Sequence, residues 1–292
     1  MVIPKQRSFK FTNSSVDAPL STQFREASAD LLGSLESTSI WVRIGFQSLK
    51  SQYARTYLGP LWISIQIIIL TLGLASIRHA LNPHLSFSAN VSQVGVGTVI
   101  VSYVTGAQAK SAKTFQRLGA PGHRPNLTSF AAFQQWFLQF LTHLHEFLPV
   151  LILASVFNDS WRFHLINLLI MLFSIYTFTL GLYLFVGVLG TRFRDLEEII
   201  ALLNRLQFIL CPVFWVLSDF SESNYLISLT KLIPTTYFLV GLRESLFGYE
   251  GSLILKTSPI YTSFTISITC FLLGFFTFSI FRKKLSFWSS NR

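Results

Sequence analysis

The chain has 292 residues, of which 51% are hydrophobic and only 12% charged. Globular domains carry about 25% charged residues, and disordered chains combine high charge with few apolar side chains. Both classes are excluded, and a polytopic membrane protein remains. The net charge of +10 then points to basic loops held beside an anionic leaflet rather than to nucleic acid. The two cysteines, Cys211 and Cys270, sit in apolar runs without CxxC spacing, so neither a disulfide framework nor a zinc site is indicated.

Residues 1–35 read as a polar arm. Lys5, Arg7 and Lys10 occur there without a signal-peptide core, so the first span is expected to act as its own uncleaved insertion signal. Residues 36–57 predict an amphipathic interface helix. Ile40, Trp41, Ile44, Leu49 and Tyr53 recur at helical spacing, with Arg43 and Lys50 on another face. Such a helix suits the headgroup layer, with Trp41 and Tyr53 as interfacial anchors. It reads either as a generic surface helix or as a cuff gripping a cytoplasmic partner or an anionic headgroup.

A crossing needs about 20 apolar residues. Within 58–285, six runs are expected to span: Leu58–Ile77, Gln93–Ala109, Phe137–Phe157, Leu165–Gly190, Ile199–Leu217 and Tyr261–Phe281. The second is short and rich in Gly, Ser and Thr; the fifth is interrupted by Pro212. Residues 286–292 form a tail. Lys and Arg number seven before the first span, four between the second and third, two between the fourth and fifth, and four after the sixth. These 17 share one side, against five on the other, which predicts that both termini are cytoplasmic. No internal repeat supports the inverted halves of secondary transporters.

Several motifs stand in order along this frame. Arg55-xx-Leu58-Gly59-Pro60-Leu61-Trp62 follows the basic amphipathic stretch. Pro60 suits the first helical position because its missing donor would be orphaned anyway. Arg192-Phe193-Arg194-Asp195-Leu196 follows the uncharged run Leu165–Gly190. Cys211-Pro212-Val213-Phe214-Trp215 falls in the fifth span, and Pro234-xx-Tyr237 precedes Arg243 and Gly248. Together these resemble the permease subunits of polysaccharide-exporting ABC transporters, which export O-antigen, capsule or teichoic acid. The departures are Ile233 in place of the usual Asn before Pro234, and a poorly matching second span and following loop.

The resemblance implies an all-α protein with six transmembrane helices and two short periplasmic re-entrant helices. It implies a homodimer in the bacterial inner membrane, joined to two copies of an ATPase subunit, which would bind the ATP and Mg. No GxxxxGK[ST] occurs, so this chain cannot cradle ATP itself; no cofactor or catalytic residue is expected in it. The cargo would be a lipid-linked polysaccharide such as an undecaprenyl-diphosphate glycan. On this reading Arg43, Lys50, Arg55, Lys113, Phe115, Arg117, Arg192, Arg194 and Asp195 face the ATPase, although Asp195 and the two glutamates after it also suit a plain helix cap. Leu58, Gly59, Pro60 and Trp62 form the entry motif, and Pro234, Tyr237 and Arg243 the periplasmic gate.

The third span carries a polar stripe. Gln135, Gln139, Thr142 and Glu146 fall within about 60° on a helical wheel, flanked by His143 and His145. With Glu146 placed near mid-span, the stripe reads as interhelical hydrogen bonding or as the wall of a conduit. Aromatic faces stack on sugar rings, so Tyr103, Tyr176, Tyr183, Phe214 and Trp215 are further channel candidates, with Gln139 and Glu146. The competing readings are an ABC permease for a lipid or drug, a membrane-embedded glycan-modifying transferase using His143 and Glu146, and a proton-coupled transporter using Glu146.

Overall fold

The computed structural model describes residues 19–116, 118, 127–157, 162–217, 225–248 and 255–290. Among them every regular element is helical. The helices are α1 (Leu20–Glu36), α2 (Thr38–Gln52), α3 (Leu61–Leu81), α4 (Phe87–Ser111), α5 (Phe130–Phe157), α6 (Leu165–Arg192), α7 (Leu196–Leu210), α8 (Tyr225–Thr230), α9 (Pro234–Phe247) and α10 (Pro259–Ser290). Five are long and apolar enough to cross a membrane: α3, α4, α5, α6 and α10. The 15 residues of α7 reach only about 22 Å at 1.5 Å per residue, short of a hydrocarbon core. It stops at Leu210 because Pro212 cannot continue an i→i−4 ladder.

The least apolar span, α4, is the centre of the fold. About 72% of its apolar stretch is buried, against 28% in α3 and 22% in α10. Its glycines explain both facts. A Cβ on Gly95 would stand 2.8 Å from Val150 of α5, and one on Gly106 would stand 2.7 Å from Gln139. Small residues lower hydropathy and let neighbouring backbones approach. The outer helix α3 shows the opposite pattern. Ile63, Ile67, Thr71, Ala75 and Arg78 form one buried stripe at helical spacing, while Ile69, Leu70 and Ile77 stay exposed.

The longest contact joins α6 and α10, which meet where Gly181 lies against the backbone of Cys270 and Phe271. The stretch read as a polar arm is helical from Leu20 onward. α1 docks on α10, with Phe24 5.8 Å from both Phe275 and Phe276. Glu26 and Asp30 bind Arg282 at 2.9 and 3.0 Å, and Asp30 also accepts from the backbone N–H of Ser129 just before α5. The first and last described helices therefore share one end of the bundle with the start of α5. That end, which carries most of the Lys and Arg among the described residues, is the basic end below.

Trp41 is a correction. It is buried rather than anchored among headgroups: its Nε1 donates to the Ser34 carbonyl at 2.9 Å, and its ring packs 5.9 Å from Phe133 and 5.4 Å from Phe137. The buried edge of α2 is Trp41, Gly45 and Leu49, and it faces α5; Ile40 is exposed.

Candidate functional site

At the basic end, two segments far apart in sequence are joined by one carboxylate. Lys113 and Gln116, just after α4, reach Glu197 in the first turn of α7: Lys113 Nζ lies 3.1 Å from Oε2, and Gln116 Nε2 donates to Oε1 at 2.6 Å. A carboxylate in the first helical turn also opposes the positive end of the helix dipole. Asp195 sits at the N-cap without a side-chain capping bond. Arg192, Phe193, Arg194 and Asp195 are all exposed. Lys113 is exposed too. Phe115 is a correction to the expected partner-facing set: it is wholly buried, in contact with Gly187 and 5.9 Å from Phe278. Arg117 lies outside the described residues.

The entry motif forms a projecting turn between α2 and α3. Arg55 has φ 67° and Gly59 φ 56°. Glycine adopts this left-handed region freely, whereas arginine does so only with strain. Tyr57 is fully exposed, and Leu58 and Trp62 are partly so. Pro60 is the N-cap rather than the first helical residue, and its carbonyl accepts from Ile63 N–H at 3.0 Å. Arg43, Lys50 and Arg55 are exposed.

A polar and aromatic seam joins α4, α5 and α6. Ser102 donates to Glu146 at 2.9 Å, Lys110 to Gln139 at 2.7 Å, and Gln139 to the Tyr103 carbonyl at 3.2 Å. Tyr103 and Thr179 share a hydroxyl hydrogen bond of 3.0 Å, and Trp136 donates to the Tyr176 carbonyl. His143 is fully buried, its ring 4.2 Å from Tyr103, 5.4 Å from Phe147 and 6.0 Å from Tyr176. Neither of its ring nitrogens has a hydrogen-bond partner among the described residues.

Two expectations change here. Glu146 is not at mid-span: Ser64, in the first turn of α3, donates to the His145 carbonyl at 2.7 Å, which sets Glu146 toward the basic end. Burial first and the Glu146 charge second hold the Tyr53 phenol above its ordinary pKa. Tyr103, Tyr183, Gln139 and Trp215 are buried in packed interior, so within the chain they form helix contacts rather than an open conduit wall. Phe214 and Tyr176 are only partly buried.

At the opposite end, Pro234 starts α9 and Gly248 ends it with φ 65°. Tyr237 donates to the Lys231 carbonyl at 3.0 Å. Arg243 is not at the surface but 1% exposed. It donates through Nε and Nη2 to the Gln93 carbonyl at 2.9 and 2.7 Å, and through Nη2 to the Val213 carbonyl at 2.9 Å. Gly97, one turn along α4, makes the room: a Cβ there would stand 2.7 Å from Nη2. The Gln93 side chain in turn accepts from buried Arg78 at 2.7 Å.

Sequence reasoning missed Asp30 and Gln93, and read Glu197 only as a helix-cap residue without its partners Lys113 and Gln116. Each is an ordinary polar residue whose partner lies elsewhere in the chain, and no local spacing marks it. A scan of protein-family models finds no match to the chain, and no curated protein shows significant sequence similarity to it.

Proposed function

We propose that the chain is the membrane-spanning subunit of an ATP-driven exporter of a lipid-linked polysaccharide. It works as a homodimer in a bacterial inner membrane, with both termini cytoplasmic and with two copies of a separate ATPase supplying ATP and Mg. The observation that carries this reading is the junction at Glu197. A partner that presses on Arg194 and Asp195, or on exposed Lys113, moves the start of α7 and the end of α4 together. That is the linkage by which a soluble engine could open a path beside α7.

In this reading α7 and the segment from Cys211 to Leu217 make the fifth of six crossings, and α8 and α9 dip back into the outer leaflet to cap the exit. The homodimer rests on the outward side of α7. Ile199, Leu202, Leu203, Leu206 and Ile209 are exposed there, and so is Arg205. A cation held among apolar side chains at membrane depth is costly unless it faces water or protein. A two-fold channel at this face supplies both, and the partly buried Phe214 lies where α7 ends. The strained Arg55 turn, beside Tyr57 and Leu58, offers a cationic and apolar entry for a pyrophosphate-linked lipid.

The test is co-purification with an ATPase encoded beside it, followed by hydrolysis assays with and without the glycan lipid. Stimulated hydrolysis that Arg194→Glu abolishes supports the reading. Stimulation by simple lipids or drugs but not by glycan lipid selects a lipid or drug permease instead. Transport that survives ATP depletion but not loss of the proton gradient ends the ATP-driven reading altogether.

A further inference from the structure

A second site lies between the basic ends of α6 and α10. A cleft of about 320 Å3 is lined by Val188, Leu189, Arg192, Phe193, Phe281 and Trp288. Apolar cavities do not hold water well, and this one has five apolar walls and a single charge. The order of the walls is set by the helices. Val188 and Phe281 are deeper, while Arg192 and Trp288 lie further along the same two helices, toward the basic end. The guanidinium of Arg192 stands 5.1 Å from the Trp288 ring and 5.5 Å from the Phe193 ring. It has no carboxylate partner among the described residues. Lys284, three residues after Phe281 on α10 and not itself a wall of the cleft, lies 5.9 Å over the Phe281 ring and is also without a carboxylate among the described residues. Stacking on aromatic faces orients a guanidinium but leaves its hydrogen-bond donors open to an anion.

We propose that this cleft binds an anionic phospholipid, its phosphate on Arg192 with Lys284 nearby and an acyl chain against Val188, Leu189 and Phe281. The charge at the rim and the apolar depth match an amphiphile oriented as in a leaflet. A free phosphate would leave the apolar walls unfilled, and a lipid without net charge would leave Arg192 uncompensated. The site stands on the membrane-spanning architecture alone and does not require the transport reading. It also divides the loop's work: Arg192 turns to lipid, leaving Arg194 and Asp195 for a protein.

The experiment uses the full chain in nanodiscs containing a minority of lipid with brominated acyl chains, either phosphatidylglycerol or phosphatidylcholine. Subtracting the fluorescence of Trp288→Phe isolates quenching at Trp288. Brominated phosphatidylglycerol should be preferred about five-fold, the effect of one cation near a lipid surface. Arg192→Gln should abolish that preference, and Leu189→Phe, which fills the cleft, should remove the quenching with either lipid. Equal quenching by the two lipids, an unchanged preference in Arg192→Gln, or no quenching at Trp288 at all overturns the proposal. Should Trp288→Phe not fold, the number of phosphatidylglycerol molecules retained in native mass spectrometry by wild type and Arg192→Gln decides: equal numbers overturn it, and loss in the variant supports it.

Discussion

Arg243 of α9 holds the backbone carbonyl of Gln93 on α4 with two hydrogen bonds, and the same guanidinium reaches Val213 in the segment after α7. One side chain thus ties three elements at the end of the bundle away from α1 and the last turns of α10. The charge on the donor makes these hydrogen bonds stronger than neutral ones.

Replacing Arg243 with methionine should lower stability by about 1.5–3 kcal/mol, the worth of hydrogen bonds from a charged donor. Lysine should not rescue it, because a single ammonium does not reproduce the fork that serves both carbonyls. Thermal unfolding in detergent, followed by tryptophan fluorescence, checks this. Wild-type melting in Arg243→Lys contradicts it.

Two glycines should differ in how their alanine variants can be repaired. A Cβ at Gly190 collides with the backbone carbonyl of Ala112, which cannot rotate away, whereas one at Gly45 stands 2.6 Å from the Phe137 ring. Overpacking of this kind costs about 1–3 kcal/mol. Gly45→Ala should recover on adding Phe137→Leu, and Gly190→Ala should resist any single side-chain change. Paired melting curves distinguish the two.

Asp30→Ala should loosen the basic end. Asp30 is buried and accepts from Ser129 N–H at 3.0 Å and Arg282 at 3.0 Å. Its removal leaves Arg282 with Glu26 as its one carboxylate partner among the described residues and uncaps the approach to α5, at about 1–3 kcal/mol. Faster amide exchange confined to α1, the start of α5 and the end of α10 is the expected signature. Protection lost evenly along α4 and α9 would contradict it.

Glu197→Ala should separate stability from coupling. Lys113 is exposed, so its ion pair with Glu197 is worth under about 1 kcal/mol in stability. Under the proposed function, the same change should remove glycan-stimulated hydrolysis while leaving the basal rate of the ATPase intact. Full stimulation in the variant would show that the junction carries no signal.

Disulfide trapping tests the two-fold face. Leu206→Cys on α7 should cross-link two copies in membranes under mild oxidation, whereas Leu169→Cys on the exposed side of α6 should not. Cross-linking at both positions, or at neither, is the result against a specific dimer through α7.

What the amino-acid order determined by itself is the set of properties that a short window contains. The low charge and long apolar runs specify a membrane-spanning architecture and locate α3 and α6 within a few residues, and the apolar parts of α5 and α10 though not their polar extensions toward the basic end, because crossing a bilayer is a requirement on one continuous helix. Pro212 and Pro234 mark the end of α7 and the start of α9 for the same local reason. Packing decided the rest. Hydropathy does not separate a side chain facing lipid from one facing another helix, so only the folded bundle turns Trp41 and Phe115 inward and places glycine-rich α4 at the centre. The polar junctions are equally invisible locally. Gln116 and Glu197 stand 81 residues apart, Gln93 and Arg243 150 apart, and Glu26 and Arg282 256 apart. A buried polar group needs a partner, but nothing in its own neighbourhood states which distant residue will provide it.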